Sequence, residues 1–182
     1  MTSVRIVQLD LEAIRALAGG DLDAAQRLAP AGGDLDAAQR LAPVPLSPWL
    51  VSEHPRSVWR RRAAQVVETP ADLAWVTGLI VADEIGQAVG AGGFHAAPDE
   101  HGMVEAGYGV DPDFQRRGYA RATLRTLIAR ARSEPAARVF RLTISPDNGP
   151  SLALARQFPF VEVGEQWDDE DGLETIYEMP VV

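Results

Sequence analysis

The sequence predicts a mixed α/β (α+β) chain around a mostly antiparallel sheet, and three stretches carry that prediction. Residues 73–110 read as a meander of strands, residues 103–145 as strand, helix and strand, and residues 161–179 as a closing hairpin. With 182 residues, 46% of them hydrophobic and 24% charged, the chain is long enough to bury one proper core, and a single domain over residues 1–182 is expected.

Residues 3–9 alternate Val4, Ile6 and Leu9 with polar positions and read as a first strand. Asp10 is placed to cap a helix over residues 11–18, in which Leu11, Ile14, Leu17 and Ala18 form one apolar stripe. Residues 18–30, AGGDLDAAQRLAP, are then repeated without a change as residues 31–43. Each copy has the signals of a short helix, an aspartate cap (Asp21, Asp34) and a terminating proline (Pro30, Pro43). The Pro-Ala-Gly-Gly junction breaks any continuous helix, and thirteen residues at about 100° each would rotate the second copy by about 220°. Two short helices are therefore expected, or one docked copy and one extending outward. A duplication tolerated at the surface is the plain explanation. A functional one is that the extra unit covers the acceptor entrance or forms a homodimer contact.

Pro45 and Pro48 mark a linker into a helix-like stretch over residues 49–67, which Pro55 is expected to interrupt. Residues 73–83 (LAWVTGLIVAD), 87–97 and 103–110 follow as strands, the last two separated by the turn at residues 98–102. In residues 119–133, Ala120, Leu124, Leu127, Ile128 and Ala131 share one helical face, while Arg117, Arg121 and Arg125 recur on another. Residues 138–145 (RVFRLTIS) form a β-branched-rich strand. The hairpin at residues 161–167 and 173–179 encloses the acidic turn 168–172.

Composition excludes several classes of function. No apolar run approaches the roughly 20 residues of a membrane span, and the start, MTSVRIVQLD, lacks a signal peptide's charged and apolar regions, so a cytoplasmic protein without a membrane partner is expected. The chain has no cysteine, which rules out disulfides, thiol catalysis and thiolate metal sites. His54, His95 and His101 lack metal-binding spacing, so no metal is expected. A net charge of −9 argues against nucleic acid and is compatible with a cationic acceptor, although solubility alone explains it.

The stretch joining the strand at residues 103–110 to the helix at residues 119–133 is VDPDFQRRGYA, residues 110–120. Unpartnered amides and the dipole at a helix start suit a phosphate, Gly118 allows close backbone approach, and Ala120 keeps the next contact small. Neither G-x-x-x-x-G-K-[ST] nor a complete G-x-G-x-x-G occurs. The segment Gly149-Pro150-Ser151-Leu152-Ala153 has the outline of a nucleophile elbow. A hydrolase of that type needs a later histidine, and none follows His101.

Gln115-Arg116-Arg117-Gly118-Tyr119-Ala120, a Q-x-x-G-x-A pattern after a strand ending V-D-P, resembles the acyl-CoA pyrophosphate loop of the GNAT N-acetyltransferase superfamily. Asn148, Ser151, Leu154 and Phe160 are similar, in register, to the family's second signature, N-x-x-[SA]-x-x-L-Y-x-x-x-G-F. Two positions depart: Ala155 stands where many members carry a tyrosine that protonates the leaving thiolate, and Pro159 replaces the glycine.

The resemblance implies a GNAT fold with helices on both faces of the sheet and acetyl-CoA, the cosubstrate, wedged where the strand ending at Val110 splays from the strand ending at Ser145. It places Val110, Gln115, Arg116, Arg117, Gly118, Tyr119, Ala120, Arg121, Asn148 and Ser151 at the coenzyme. The helices over residues 49–67 would form one wall of the acceptor site, bringing Trp49, His54, Trp59 and Arg60-Arg61-Arg62 near substrate; core aromatics and a solvated arginine run are the ordinary alternative. The implied reaction is acetyl transfer to the primary amine of a small molecule or protein N-terminus. Such an amine, with a lysine-like pKa of about 10.4, must lose a proton first, and a carboxylate acting through water can take it. Glu105, five residues before Val110, is the candidate. Backbone N–H groups near Gly109 and Val110 would polarise the thioester carbonyl. Ser151 is the candidate donor to the thiolate, a weak donor sufficing for a cysteine-like pKa of about 8.5. With Ala155 in the tyrosine's place, a non-catalytic CoA-binding regulatory module stays open as the alternative.

Overall fold

The computed structural model describes residues 2–19, 35–169 and 172–181. β1 (Val4–Val7) leads into α1 (Leu11–Ala18), where Asp10 accepts from the Ala13 amide at 2.8 Å, as its sequence position predicts. Of the duplicated segment, the first copy from residue 20 onward and the expected caps Asp21 and Asp34 lie outside the described residues. The second copy contains α2 (Leu35–Leu41), which ends just before Pro43 and buries Ala38 in the α1 core.

A 3-10 turn over Pro48–Val51 precedes α3 (Glu53–Glu68). Pro55 does not interrupt this helix, contrary to the expectation from the sequence. It sits in the first turn, where a missing N–H costs nothing because no acceptor is available there. Trp59 is fully buried, its indole donating to the Leu50 carbonyl at 3.0 Å, so it belongs to the core and not to the site.

The strand expected over residues 73–83 is shorter. Pro70–Ala74 forms a second 3-10 turn held by Asp72, and β2 spans only Gly78–Ala82. The apolar run hides this boundary, because Leu73, Ala74, Trp75 and Val76 carry the strand's apolar composition back into the turn. β3 (Gln87–Phe94), β4 (Met103–Val110), α4 (Tyr119–Ser133), β5 (Val139–Ile144), α5 (Gly149–Ala155), β6 (Val161–Asp168) and β7 (Gly172–Pro180) complete the chain. Of the acidic turn read in the sequence, Glu170 and Asp171 lie outside the described residues.

The seven strands form one sheet in the order β1-β2-β3-β4-β5-β7-β6, antiparallel except between β4 and β5. Alternate residues of β2 serve opposite faces. Leu79 and Val81 join the core under α1 and α3, while Ile80 and Ala82 join Tyr119 of α4. A third cluster ties α4 to β5 and α5 through Leu124, Leu127, Phe140 and Ala155.

The parallel pair decides where a site can form. β4 and β5 are in register only over Met103–Val139, Val104–Phe140 and Glu105–Arg141. Beyond Glu105 the two strands part, leaving unpaired edges on either side of a fork.

Candidate functional site

The loop after β4 is shaped by local bonds. Asp111 accepts from the Asp113 amide at 2.9 Å, and Gln115 Nε2 donates back to the Val110 carbonyl at 3.0 Å. Gly118 has φ +88° and Arg116 φ +60°, both left-handed, a conformation that favours glycine and strains arginine. Ala122 is the first helical residue whose amide is taken, by Gly118 O at 3.0 Å, so the amides of the first turn ahead of it face the loop.

These elements line a cavity of about 660 Å³ whose wall includes Val110, Gln115, Arg116, Gly118, Tyr119, Ala120, Arg121, Asn148 and Ser151. Arg117 is the one residue of the predicted coenzyme set that is not on it. Its guanidinium instead lies 5.4 Å from the Phe114 ring and donates to the Asp113 carbonyl at 2.8 Å. Asn148 caps α5, accepting from the Ser151 amide at 3.2 Å. Helix-start amides with two arginines at one end and an apolar fork at the other fit a chain that carries a diphosphate and ends in a thioester.

A second cavity, of about 430 Å³, lies on the α3 side of the fork, and Trp49, Tyr108 and Gly109 border both. Glu105 is in its wall, its side chain 17% exposed. Thr143 Oγ1 donates to Glu105 Oε1 at 2.8 Å, and His95 Nδ1 stands 3.5 Å from the same oxygen. Gly107 makes room for that imidazole, since a Cβ there would lie 3.0 Å from His95 Nε2. Burial, then the charges of Arg62 and Arg61, push the His95 pKa down to about 4, so the ring is neutral near pH 7. Burial alone pushes Tyr108 up to about 12, which keeps its hydroxyl protonated at the junction of the two cavities.

His54, Arg61 and Arg62 also line this cavity, joined by Gln166, Asp168 and Glu174 from the closing hairpin. The arginine run is therefore not a uniformly solvated face: Arg60 and Arg61 are exposed, and Arg62 is buried.

The family model for the acetyltransferase (GNAT) family matches residues 38–160. The chain belongs to this family. The GNAT fold is shared with solved structures at low identity. One is the ribosomal L7/L12 alpha-N-protein acetyltransferase RimL in complex with coenzyme A, 18% identical over 99% of this chain and 95% of that chain, with a TM-score of 0.63. A second is a chimera of the spermidine N-acetyltransferase SpeG from Vibrio cholerae with hSSAT, 11% identical over 98% and 96%, also with a TM-score of 0.63. A third is the microcin C7 self immunity acetyltransferase MccE in complex with acetyl-CoA and AMP, 16% identical over 98% and 92%, with a TM-score of 0.61. No curated protein matches the sequence.

Sequence reasoning singled out residues that line the 660 Å³ cavity and Glu105 of the 430 Å³ one, but missed Thr143, His95, Tyr108, Gln166 and Glu174. The arginine run held one usable signal. Three consecutive residues of a helix spread over about 200° of its circumference, so the members of Arg60-Arg61-Arg62 do not share one face and one of them can turn inward.

Proposed function

We propose that this GNAT protein is a cytoplasmic N-acetyltransferase that moves an acetyl group from acetyl-CoA to the primary amine of a small molecule or protein N-terminus. The observation that carries this reading is the fork beyond Glu105 and Arg141, with a phosphate-compatible cavity on one side and a carboxylate on the other. The RimL and SpeG structures, named as N-acetyltransferases, support the choice of amine acceptors.

Bound acetyl-CoA supplies the thioester: the acceptor nitrogen bonds to the acetyl carbon, the carbon–sulfur bond breaks, and sulfur leaves as the thiolate. The chain's residues set up that exchange. Amides at the start of α4, with Arg116 and Arg121, hold the diphosphate. The widening between β4 and β5 receives the pantetheine arm. Glu105, pinned by Thr143, accepts the ammonium proton, the second nitrogen proton lost on amide formation ends on the departing sulfur, and Ser151 on the coenzyme wall hydrogen-bonds that sulfur.

Thiol release from acetyl-CoA across a panel of amines tests the assignment, with Glu105→Gln as control. Amine-dependent release that Glu105→Gln abolishes supports the enzyme. Tight CoA binding without release for any amine favours the second reading, a CoA-binding regulatory module. Ala155 motivates that alternative: it is buried and absent from the coenzyme wall, so the usual tyrosine has no equivalent there.

A further inference from the structure

The acceptor-side cavity contains a buried cation that acetyl transfer leaves unused. Arg62 is 8% exposed, and among the described residues no carboxylate lies within ion-pair distance of it. One edge of its guanidinium is fixed: Nη1 donates to Gln65 Oε1 at 2.8 Å and to the His95 carbonyl at 3.2 Å. The other edge has a single long bond, Nε to Thr77 Oγ1 at 3.4 Å, and no acceptor for Nη2 among the described residues. Arg62 and Thr77 both line the cavity.

A guanidinium taken out of water normally has an anion beside it. Here desolvation, followed by the charge of Arg61, pushes Arg62 down to about 10, although the more distant carboxylates of Glu105 and Asp72 act in the opposite direction. His95 is neutral between the arginine and Glu105 and supplies no compensation. A planar fork with one edge tied back and the other short of acceptors, on a residue that lines the cavity, suits a carboxylate, which accepts two parallel N–H bonds. Glu105 and Glu174, in the same wall, suit an ammonium group.

We propose that the acceptor is a small amine that also carries a carboxylate, with the carboxylate on the Nε–Nη2 edge of Arg62 and the amine at Glu105. This rests on the transferase reading and narrows it. A polyamine offers Arg62 no anion and brings further positive charge toward Arg61 and Arg62. The cavity, about 430 Å³, is of small-molecule size.

The test uses the full-length protein, acetyl-CoA and matched probes: glycine, β-alanine and 4-aminobutyrate, each against its primary amide, with putrescine as a diamine lacking a carboxylate. At least one acid should exceed its amide by about tenfold in kcat/KM, mostly through KM, and exceed putrescine. Arg62→Met should bring the acid-to-amide ratio close to one at unchanged CoA affinity, and Arg62→Lys should keep part of it. Melting temperature and CoA affinity show that each variant is folded, and Arg62→Lys retains the charge should Arg62→Met unfold. Equal use of acid and amide by the wild type, or a preference for putrescine, overturns the inference and leaves the transferase standing. Failure of every probe, and of the wider amine panel with peptide N-termini included, to release thiol removes the transferase reading. Calorimetry on the CoA-loaded protein then decides the carboxylate site: selective binding of the acids, lost in Arg62→Met, upholds it, and equal binding of acids and amides overturns it.

Discussion

Thr143 Oγ1 donates a 2.8 Å hydrogen bond to Glu105 Oε1 from two residues beyond the last backbone pair that joins β4 to β5. The bond crosses the base of the fork, where the ladder has ended and no main-chain contact holds the strands together. It therefore fixes the Glu105 carboxylate in the wall of the cavity on the α3 side of the fork. Thr143→Val keeps the shape and removes the donor. Its expected effect is a loss of about 1 kcal/mol in unfolding free energy and a several-fold fall in kcat, with the KM for acetyl-CoA unchanged. Thr143→Ser should restore most of kcat; urea denaturation and thiol release measure both.

Glu105→Gln retains an oxygen that can accept from Thr143, so the fork is expected to stay intact. What it loses is the proton acceptor. Removing a general base commonly lowers the rate by roughly 10²–10⁴-fold, and kcat/KM should fall by that order while CoA affinity holds. A variant within twofold of wild type would take Glu105 out of the reaction.

His95 gives the fold a pH dependence with a definite sign. Its folded pKa is pushed down to about 4 from the ordinary 6.5, first by burial and then by Arg62 and Arg61, although water in the cavity screens part of the effect. As pH falls below about 6.5, the unfolded chain takes up a proton that folded His95 refuses until about pH 4. Stability should therefore drop as pH is lowered through that window, with no contribution from this group above it. Denaturation curves at a series of pH values should show the slope, and His95→Gln should flatten it.

Left-handed backbone at Gly118 and Arg116 makes opposite predictions for the two positions. A Cβ at Gly118 would meet only Thr2, at 3.4 Å, so Gly118→Ala suffers from its φ and not from crowding. It should cost about 1–2 kcal/mol and weaken CoA binding. Arg116→Gly removes a comparable strain, so its stability should hold or rise by about 1 kcal/mol, while loss of the guanidinium weakens CoA binding. Calorimetric Kd values paired with melting temperatures distinguish the two.

The cavity beside the start of α4 was legible because its chemistry is local. The turn, Gly118, the helix start and the V-D-P strand end lie within eleven consecutive residues. The exact boundaries of α4 follow from the same punctuation. The wall around Glu105 was not legible, since its contacts join residues distant in the chain: Arg62 reaches His95, and Glu105 reaches Thr143. No local periodicity encodes those pairings. The sequence also overextended the strand before β2 and overstated the breaking effect of Pro55, both cases where tertiary packing or helix position outweighs composition.

Ala155 provides the sharpest test of the proton donor. The family signature would have a tyrosine at this position, yet here the residue is 3% exposed and packs with Leu124, Leu127 and Phe140. It is not on the wall of the 660 Å³ cavity, whereas Ser151, one turn earlier in α5, is. Ala155→Tyr must place a phenol ring into a filled core, which should cost about 1–3 kcal/mol without raising kcat. Ser151→Ala removes a hydroxyl that faces the cavity, and it should leave stability nearly unchanged. Its kcat should fall by less than about tenfold, because a thiolate with a pKa near 8.5 needs little protonation to leave. A rise in kcat for Ala155→Tyr at wild-type stability would show that α5 presents residue 155 to the sulfur.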